Sequence, residues 1–522
     1  MGLLVGIDFG TCNIKTSKLI ETKRGEVVKA IALNKNQGDI DKITSNVIEY
    51  RKDEKIVGNN DYNENTIKYI KRKLEFENWN KYIKAINKNV TAIDVATDIF
   101  SWINKRIKEQ NGNEDIECAI ITTPICYSEI QKERIRKAAI NAGINVKDVI
   151  SEPLAAMFSM EELSDDEEKN SVVMIFDFGG GTLDISIFEI LNDGEGKIKI
   201  TVLGSKGLRY GGVDITNSIY KNIILKKHEK EIDEEIKNEK DNIKISNEEE
   251  KEKYAKEMVE SEVIRAVEQL KQSLFSDEDE DEVENIWTTK KGKAIPLSLT
   301  TEEVSKIFEE INIKEKIEDL LDDLIDEARI DKEDITLVKL IGGTSRISYF
   351  RKMIFEYFDE NEDILDLEDF DEEENYRAVA DGAAKYAGYL NKTNSNIELK
   401  NRIAFSIGID DNNVFKKVIS RNSKYGFISP KKYIDMETLK KNDYKIKIYQ
   451  VFGDKLNVKI NGDNGAIYIG YLKLNSEKYK NKDGILMELQ IGKKGEIIGR
   501  FYEKDELDEV TLMEENIVIM ED

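Results

Sequence analysis

Histidine is almost missing from this sequence: His228 is the only one among 522 residues. A single imidazole excludes catalytic triads of the Ser-His-Asp kind and metal centres built from several histidines. Flanked by Lys226, Lys227, Glu229 and Lys230, it reads as a solvated helix residue. Cysteine is scarce as well. Cys12, Cys118 and Cys126 form no C-x-x-C pair, which excludes a disulfide scaffold and a cysteine zinc site and fits a reducing compartment. The four prolines, together with heavy use of Asn, Lys, Glu and Ile, reflect compositional bias and carry no functional reading. No apolar run approaches the roughly 18 residues needed to cross a bilayer. Met1–Gly6 lead straight into an acidic turn without a basic region or a cleavage site. A soluble, cytoplasmic protein with no membrane partner is expected.

What the chain has in abundance is charge. Charged residues make up 35% of it and the net charge is -25. Phosphate backbones repel such a surface unless basic residues are concentrated somewhere, and no basic patch is present, so no nucleic-acid partner is expected. The length exceeds what one hydrophobic core organises, which predicts two or more domains.

An acidic glycine turn occurs twice, as Ile7-Asp8-Phe9-Gly10-Thr11 and as Phe176-Asp177-Phe178-Gly179-Gly180-Gly181-Thr182. Each follows an apolar run (Leu3, Leu4, Val5; Val172, Val173, Met174, Ile175) and precedes alternating apolar positions. This is strand-turn-strand written twice, and it predicts two related lobes with a cleft between them. A third turn, Leu340-Ile341-Gly342-Gly343-Thr344-Ser345-Arg346, follows an apolar strand and precedes a helix-like segment. From Asp233 to Glu284 the chain is dense in charge, with apolar residues at helical spacing (Ala255, Met258, Val259, Val263, Ile264, Val267, Leu270, Leu274), and reads as helices with a solvated face. Beyond Leu390 a polar stretch, Asn391–Asn396, has the composition of a linker. Short alternating segments with glycine turns follow, among them Lys445–Val451, Ile467–Ile469 and Ile485–Leu489, which predict an all-β module reaching nearly to the last residue.

An Asp-x-Gly-Thr turn suits triphosphate chemistry for physical reasons. Glycine lets backbone N–H groups approach phosphate oxygens, threonine adds a hydroxyl, and the carboxylate can hold Mg²⁺ through its water shell. Hairpins also use Asp and Gly for shape alone. A second copy and the Gly342-Gly343 turn weigh toward two tips clamping one nucleotide.

With those turns in place, the chain resembles the DnaK-type, seventy-kilodalton heat-shock chaperone family over nearly its whole length. The ordered set is Gly6–Thr11, Ile56-Val57-Gly58, Asn65-Thr66-Ile67 leading to Lys71-Arg72, Thr122-Thr123-Pro124, Ser151-Glu152-Pro153-Leu154-Ala155-Ala156, Phe176–Asp184, Gly211-Gly212-Val213-Asp214, Gly342–Arg346 and Gly382-Ala383-Ala384. The resemblance implies a two-lobed, actin-like α/β ATPase domain over residues 1–390, a linker over 391–401, and a β-sandwich over 402–522 that resembles the family's substrate-binding domain. It implies ATP/ADP and Mg²⁺ as cofactors. Catalytic roles fall on Lys71 (charge on the transferring phosphoryl), Glu152 (water orientation), Asp177, Thr182 and Asp8, with Asp8 and Asp177 holding Mg²⁺ through water. Nucleotide contacts fall on Gly10, Thr11, Cys12, Asn13, Gly179, Gly180, Gly181, Gly211, Gly212, Glu268, Lys271, Gly342, Gly343, Thr344 and Arg346.

Several positions depart from the family pattern. Gln272 stands where an arginine stacks on the base, Phe275 replaces a small polar residue, and Glu374-Asn375-Tyr376-Arg377 replaces Asn-Pro-Asp-Glu. Lys132 takes the place of an arginine that relays nucleotide state past Pro124. The leucine-rich linker is reduced to Ile397-Glu398-Leu399-Lys400, and no helical lid follows the sandwich within this sequence. The charges at Glu398 and Lys400 predict weak coupling between the two parts, while the alternate spacing of Ile397 and Leu399 keeps both on one face of an extended strand. The implied function is an ATP-dependent binder of unfolded or extended polypeptide, acting as a monomer with J-domain-type co-chaperone and nucleotide-exchange partners. A nucleotide-regulated scaffold for one dedicated protein is the alternative; a small-molecule kinase or actin-like filament protein would share the superfold but not the β-module.

Overall fold

The computed structural model describes residues 2–520 except 24, 35–42, 59–62, 161–168, 195–196, 244–246, 276–280, 366–371, 393–396, 412, 452–457, 461–465, 480–481, 493–494 and 505–509. Two mixed sheets organise the first three quarters of the chain. One has the order Val146–Ser151, Ile116–Thr123, Leu3–Phe9, Asn13–Thr22, Gly25–Ala30, with Ile43–Ser45 against Asn13–Thr22. The other has the order Leu337–Ile341, Lys169–Phe178, Leu183–Asn192, Ile198–Leu208, Ile397–Lys400. In each, an antiparallel hairpin carries a parallel strand on its outer side: Ile116–Thr123 beside Leu3–Phe9, and Leu337–Ile341 beside Lys169–Phe178. The turn repeated in the sequence is thus repeated in topology.

The hairpin strands are apolar on both faces because both faces are covered. Val5, Ile7 and Phe9, and likewise Ile175, Phe176 and Phe178, are fully buried. The helices Glu152–Ser159 and Glu372–Asn391 pack against each other and share a central apolar cluster with residues of both sheets, among them Ile120, Ile175 and Ile341. Their crossing depends on a missing side chain: a Cβ on Gly382 would lie 1.6 Å from the carbonyl oxygen of Ala155.

A helical wall stands beside the second sheet, built from Leu225–Asn242 and Glu248–Leu274. Ala255, Val259, Val263, Val267, Leu270 and Leu274 are buried as their spacing requires, whereas Met258 and Ile264 are only partly covered. Helix does not persist to Glu284. Residues 282–288 form a strand paired with Ala294–Thr300, because Val283 and Trp287 alternate into the core as strand residues do. His228 is half-buried at a kink in Leu225–Asn242, where its backbone leaves helical geometry.

The expected linker is where the structure departs most from the sequence reading. Helix runs through Asn391, residues 393–396 lie outside the described set, and Ile397–Lys400 is a strand paired in parallel with Ile198–Thr201. Ile397 and Leu399 pack on the central cluster; Glu398, on the other face, points to solvent and pairs with Lys400 at 3.4 Å. Charge interrupts the apolar run in sequence but not on the face that docks, since successive strand residues alternate sides.

The last 120 residues form two antiparallel four-stranded sheets, ordered Val414–Ile419, Ser406–Asp411, Lys445–Val451, Ile467–Lys473 and Lys432–Asp435, Gly484–Ile491, Ile497–Lys504, Val510–Ile517. They share one core, including Ile407, Ile448, Leu472, Met487 and Phe501. Phe452 and Gly453 of the expected strand fall outside the described residues. The module is not purely β: Met436–Lys441 is a short helix, capped by Asp435, whose carboxylate accepts from the Thr438 N–H at 2.7 Å, and Ser476–Tyr479 is another. This part rests on the rest of the chain through Arg421, which pairs with Glu327 at 2.8 Å, through Asn422 donating to Glu327 at 3.0 Å, and through Gln450, which accepts from the Glu129 N–H at 3.0 Å.

Candidate functional site

The two hairpin tips meet. A Cβ on Gly181 would lie 2.2 Å from Thr11 Oγ1, and one on Gly180 would lie 2.5 Å from Cys12 Sγ, so only glycine permits this approach. The third turn closes in behind them. Gly342 has φ +85° and no room for a side chain, since a Cβ there would sit 2.6 Å from Asp177 Oδ1. Thr344 ties the turn to the second hairpin, its N–H donating to the Phe178 carbonyl at 2.9 Å and its hydroxyl to the Gly179 carbonyl at 2.8 Å. The helix Gly212–Ile219 abuts the same tip, with the Gly212 and Val213 N–H groups donating to the Gly179 and Gly180 carbonyls at 3.1 and 2.9 Å.

Strand register decides which side chains face the gap. Asp8 is the direct cross-strand partner of Lys15, and Asp177 that of Asp184. Lys15 Nζ lies 2.9 Å from Asp8 Oδ2. Lys71, on the short helix Ile70–Lys73, is 1% exposed and its Nζ lies 2.5 Å from Glu152 Oε1. Next to it, Arg72 grips both carboxylate oxygens of Asp214, at 3.0 and 2.5 Å, and donates to the Gly181 carbonyl at 2.8 Å, which joins the first half of the chain to the second hairpin. That helix starts from Tyr69 in the left-handed region, φ 57° and ψ 38°, a conformation that costs a non-glycine residue about 1–3 kcal/mol and that aims Lys71 inward. Burial, then the neighbouring carboxylates Glu152, Asp184 and Asp8, push the Asp177 carboxyl well above the usual range. Burial likewise raises Glu152 against the pull of Lys71, and pushes Asp184 up to about 7. Asp184 Oδ1 accepts from the Ile125 N–H at 2.7 Å, and Thr182 beside it also favours the ionised form.

On the far side, Lys271 spends its donors inside the protein, on the Gly212 carbonyl (3.0 Å), Thr216 Oγ1 (2.9 Å) and Glu268 (2.9 Å). Glu268 also accepts from Gln272 at 3.0 Å. Arg346 lies over the Tyr376 ring, 5.1 Å from its centroid, and donates to the Tyr376 hydroxyl at 3.0 Å. One cavity of about 750 Å³ is bounded by all of the residues singled out from the sequence except Gly211, which sits behind Gly180.

A family model described as Hsp70 protein matches residues 4–476. The chain belongs to the Hsp70 family. It is similar to the mitochondrial-type heat shock protein 70 of Encephalitozoon hellem, 28% identical over 499 residues that cover 90% of this chain and 76% of that protein. It is also similar to the chaperone protein HscA of Buchnera aphidicola (27% identical, 71% of this chain and 53% of that protein) and to the chaperone protein DnaK of Mycoplasmoides gallisepticum (27%, 68% and 55%). Chaperone and ATP-binding character follow at the level of family membership. Among the described residues no helix is long and apolar enough to cross a membrane.

The donor set fits the Mg²⁺ that Hsp70 membership implies. Four buried carboxylates, Asp8, Glu152, Asp177 and Asp184, lie near two ammonium groups, the buried Lys71 and the partly exposed Lys15, so the gap calls for added positive charge. Lys15 and Asp184 escaped the sequence reading. The signal was available in the register: in each hairpin the residue seven positions after the turn aspartate pairs with it across the strands. Tyr376 was noted only as a departure, and its contact with Arg346 comes from chain segments 30 residues apart.

Proposed function

We propose that this Hsp70-family chain is an ATP-dependent molecular chaperone that hydrolyses ATP with Mg²⁺ and binds unfolded or extended polypeptide. Residues 1–390 would act as the actin-like ATPase domain and residues 402–522 as a β-sandwich that holds the peptide. The observation that carries this reading is the junction of two glycine tips with the Lys71–Glu152 pair at their mouth. Backbone amides of Gly10–Asn13 and Gly179–Thr182 cradle the phosphates, Lys71 offsets charge on the transferring phosphoryl, and Glu152 orients the attacking water. Phosphoryl transfer asks chiefly for such positioning and electrostatic support, which needs no histidine. Bound Mg²⁺, held by Asp8 and Asp177 through water, supplies further neutralisation of the phosphates. Glu268, Lys271 and Arg346 form the wall for the nucleoside, with Gln272 and Tyr376 adding polar contacts there.

The three cysteines are unpaired, as a reducing cytoplasm would keep them. A J-domain-type co-chaperone and a nucleotide-exchange factor are the proposed helpers. The test joins two measurements on the full chain: Mg²⁺-dependent release of phosphate from ATP, and binding to a peptide array. Hydrolysis with broad preference for extended apolar peptides is the expected result. Absence of Mg²⁺-dependent nucleotide binding overturns the ATPase reading, and binding of a single partner sequence replaces the chaperone with a nucleotide-regulated scaffold.

A further inference from the structure

The hairpin register leaves two charged side chains, Lys15 and Asp184, without a role in the mechanism above. Lys15 stands directly across from Asp8, only 15% exposed, on the wall of the cavity that holds the phosphate cradle. An ammonium group has three N–H donors, and among the described residues Lys15 gives one to a protein acceptor, Asp8 Oδ2 at 2.9 Å. Lys271, by contrast, satisfies three acceptors inside the protein, while Lys71, like Lys15, is engaged with a single carboxylate, Glu152. The carboxylates Asp177 and Glu152 lie near Lys15 as well, and with two donors left on the cavity wall it can take a further acceptor from outside. The second hairpin sharpens the contrast, because its equivalent position is Asp184. The two tips share a backbone but present opposite charge at this place.

We propose that Lys15 is a second phosphate-binding lysine, paired with Asp8, which gives nucleoside di- and triphosphates an affinity that does not depend on a divalent metal. The inference rests on the nucleotide reading of the site and adds to it the means by which phosphate charge is met when Mg²⁺ is absent. Without nucleotide, Asp8 neutralises Lys15. Bound phosphate replaces Asp8 as its partner, which frees the carboxylate for the water shell of a metal. Lys15 therefore contributes most where no metal shares the work.

The test is equilibrium binding of fluorescently labelled ADP to the full-length protein, in Mg²⁺ and in EDTA, across a double-mutant cycle. Lys15→Met should weaken binding in EDTA roughly ten- to hundredfold, the scale of a lost hydrogen bond to a charged group, and weaken it much less in Mg²⁺. Asp8→Asn should bind in EDTA as tightly as the unaltered protein or more tightly, because nothing then competes for the ammonium. The double variant Asp8→Asn/Lys15→Met leaves neither charge buried alone, so it stands in if Lys15→Met does not fold, and it should show the same loss in EDTA relative to Asp8→Asn. Binding in EDTA that stays within twofold when Lys15 is removed, in either background, overturns the proposal and makes Lys15 a counter-ion of Asp8 only. Failure of the unaltered protein to bind ADP even with Mg²⁺ is a different outcome: it overturns the nucleotide reading itself.

Discussion

Lys71→Met removes one ammonium group and little else, since methionine keeps the length and most of the apolar stem. Lys71 is 1% exposed and its Nζ is 2.5 Å from Glu152 Oε1. Two consequences separate. In the reaction, the lost charge stabilises the transferring phosphoryl only as the transition state forms, so the single-turnover rate should fall by about 10²–10³, or roughly 3–4 kcal/mol. Nucleotide affinity should change little, because the backbone cradle and Lys15 remain. In the fold, Glu152 loses the partner that most favours its ionised form. Breaking a buried pair by removing one member costs about 3–5 kcal/mol, a ceiling that protonation of the orphaned carboxyl lowers. Melting temperature should therefore drop at pH 8 and recover toward pH 5.

Glu152→Gln in the same chain tells the two effects apart. The double variant Lys71→Met/Glu152→Gln has no unpaired buried charge, so its stability should return while its rate stays low. Rapid-quench measurement of one turnover of prebound ATP, alongside thermal melts, reads both. A Lys71→Met rate within threefold of the unaltered protein, or a rate restored in the stable double variant, refutes the assignment of Lys71 to the chemistry.

Asp184 gives the protein a pH signature. Its carboxyl is pushed up to about 7 by burial and then by Glu152, so the folded state holds a proton that the unfolded chain has released. Stability therefore falls as pH rises from about 4 to about 7, by on the order of 4 kcal/mol in total, and is level above that. Asp184→Asn keeps an acceptor for the Ile125 N–H and should flatten this slope; thermal melts between pH 5 and 8 with the same slope in both proteins contradict the argument. Coupling between the two parts is tested at Leu399. The docked strand and two half-buried aliphatic side chains support a peptide-affinity ratio of roughly tenfold between the ATP and ADP states, larger than the interrupted linker led one to expect. With Thr182→Ala to block hydrolysis, Leu399→Asp should bring the ratio within about twofold of unity, and a ratio still above fivefold shows that the signal travels elsewhere.

Local patterns were legible in the sequence; partners across the fold were not. Leu3–Phe9 and Lys169–Phe178 announced themselves as strands because apolar residues line both faces and a glycine turn ends each run. The turn residues Asp8, Gly10, Thr11 and Gly179–Thr182 could be named for the same reason, as the chemistry lies within a few consecutive positions. Arg72 is different. Its grip on Asp214 spans 142 residues, and no period in the sequence reports it. The first residues of the strand Glu282–Thr288 were absorbed into a helical reading because the acidic run Asp277–Glu284 continues the charge of the helix before it, and only Val283 and Trp287 alternate inward. At Ile397–Lys400 the alternate spacing of Ile397 and Leu399 was legible as one face of a strand, whereas the neighbour it pairs with, Ile198–Thr201, lies about 200 residues away and leaves no local signal.

The duplicated hairpin also explains why the ligand must carry both signs of charge. Equivalent backbones supply N–H groups from both sides of the gap, which alone would suit any anion. The side chains opposite the turn aspartates break that symmetry. On the first tip Lys15 pairs with Asp8; on the second, Asp177 and Asp184 stand together, and burial first, then the neighbouring carboxylates, push both carboxyls up. A free anion would improve the first tip and worsen the second, while a free cation would do the reverse. A polyphosphate bound together with a divalent metal satisfies both at once, its oxygens toward the amides and lysines and its metal toward the paired carboxylates. In the proposed function one register position per hairpin would therefore divide the work, with lysine in the first meeting phosphate charge and aspartate in the second calling for the metal.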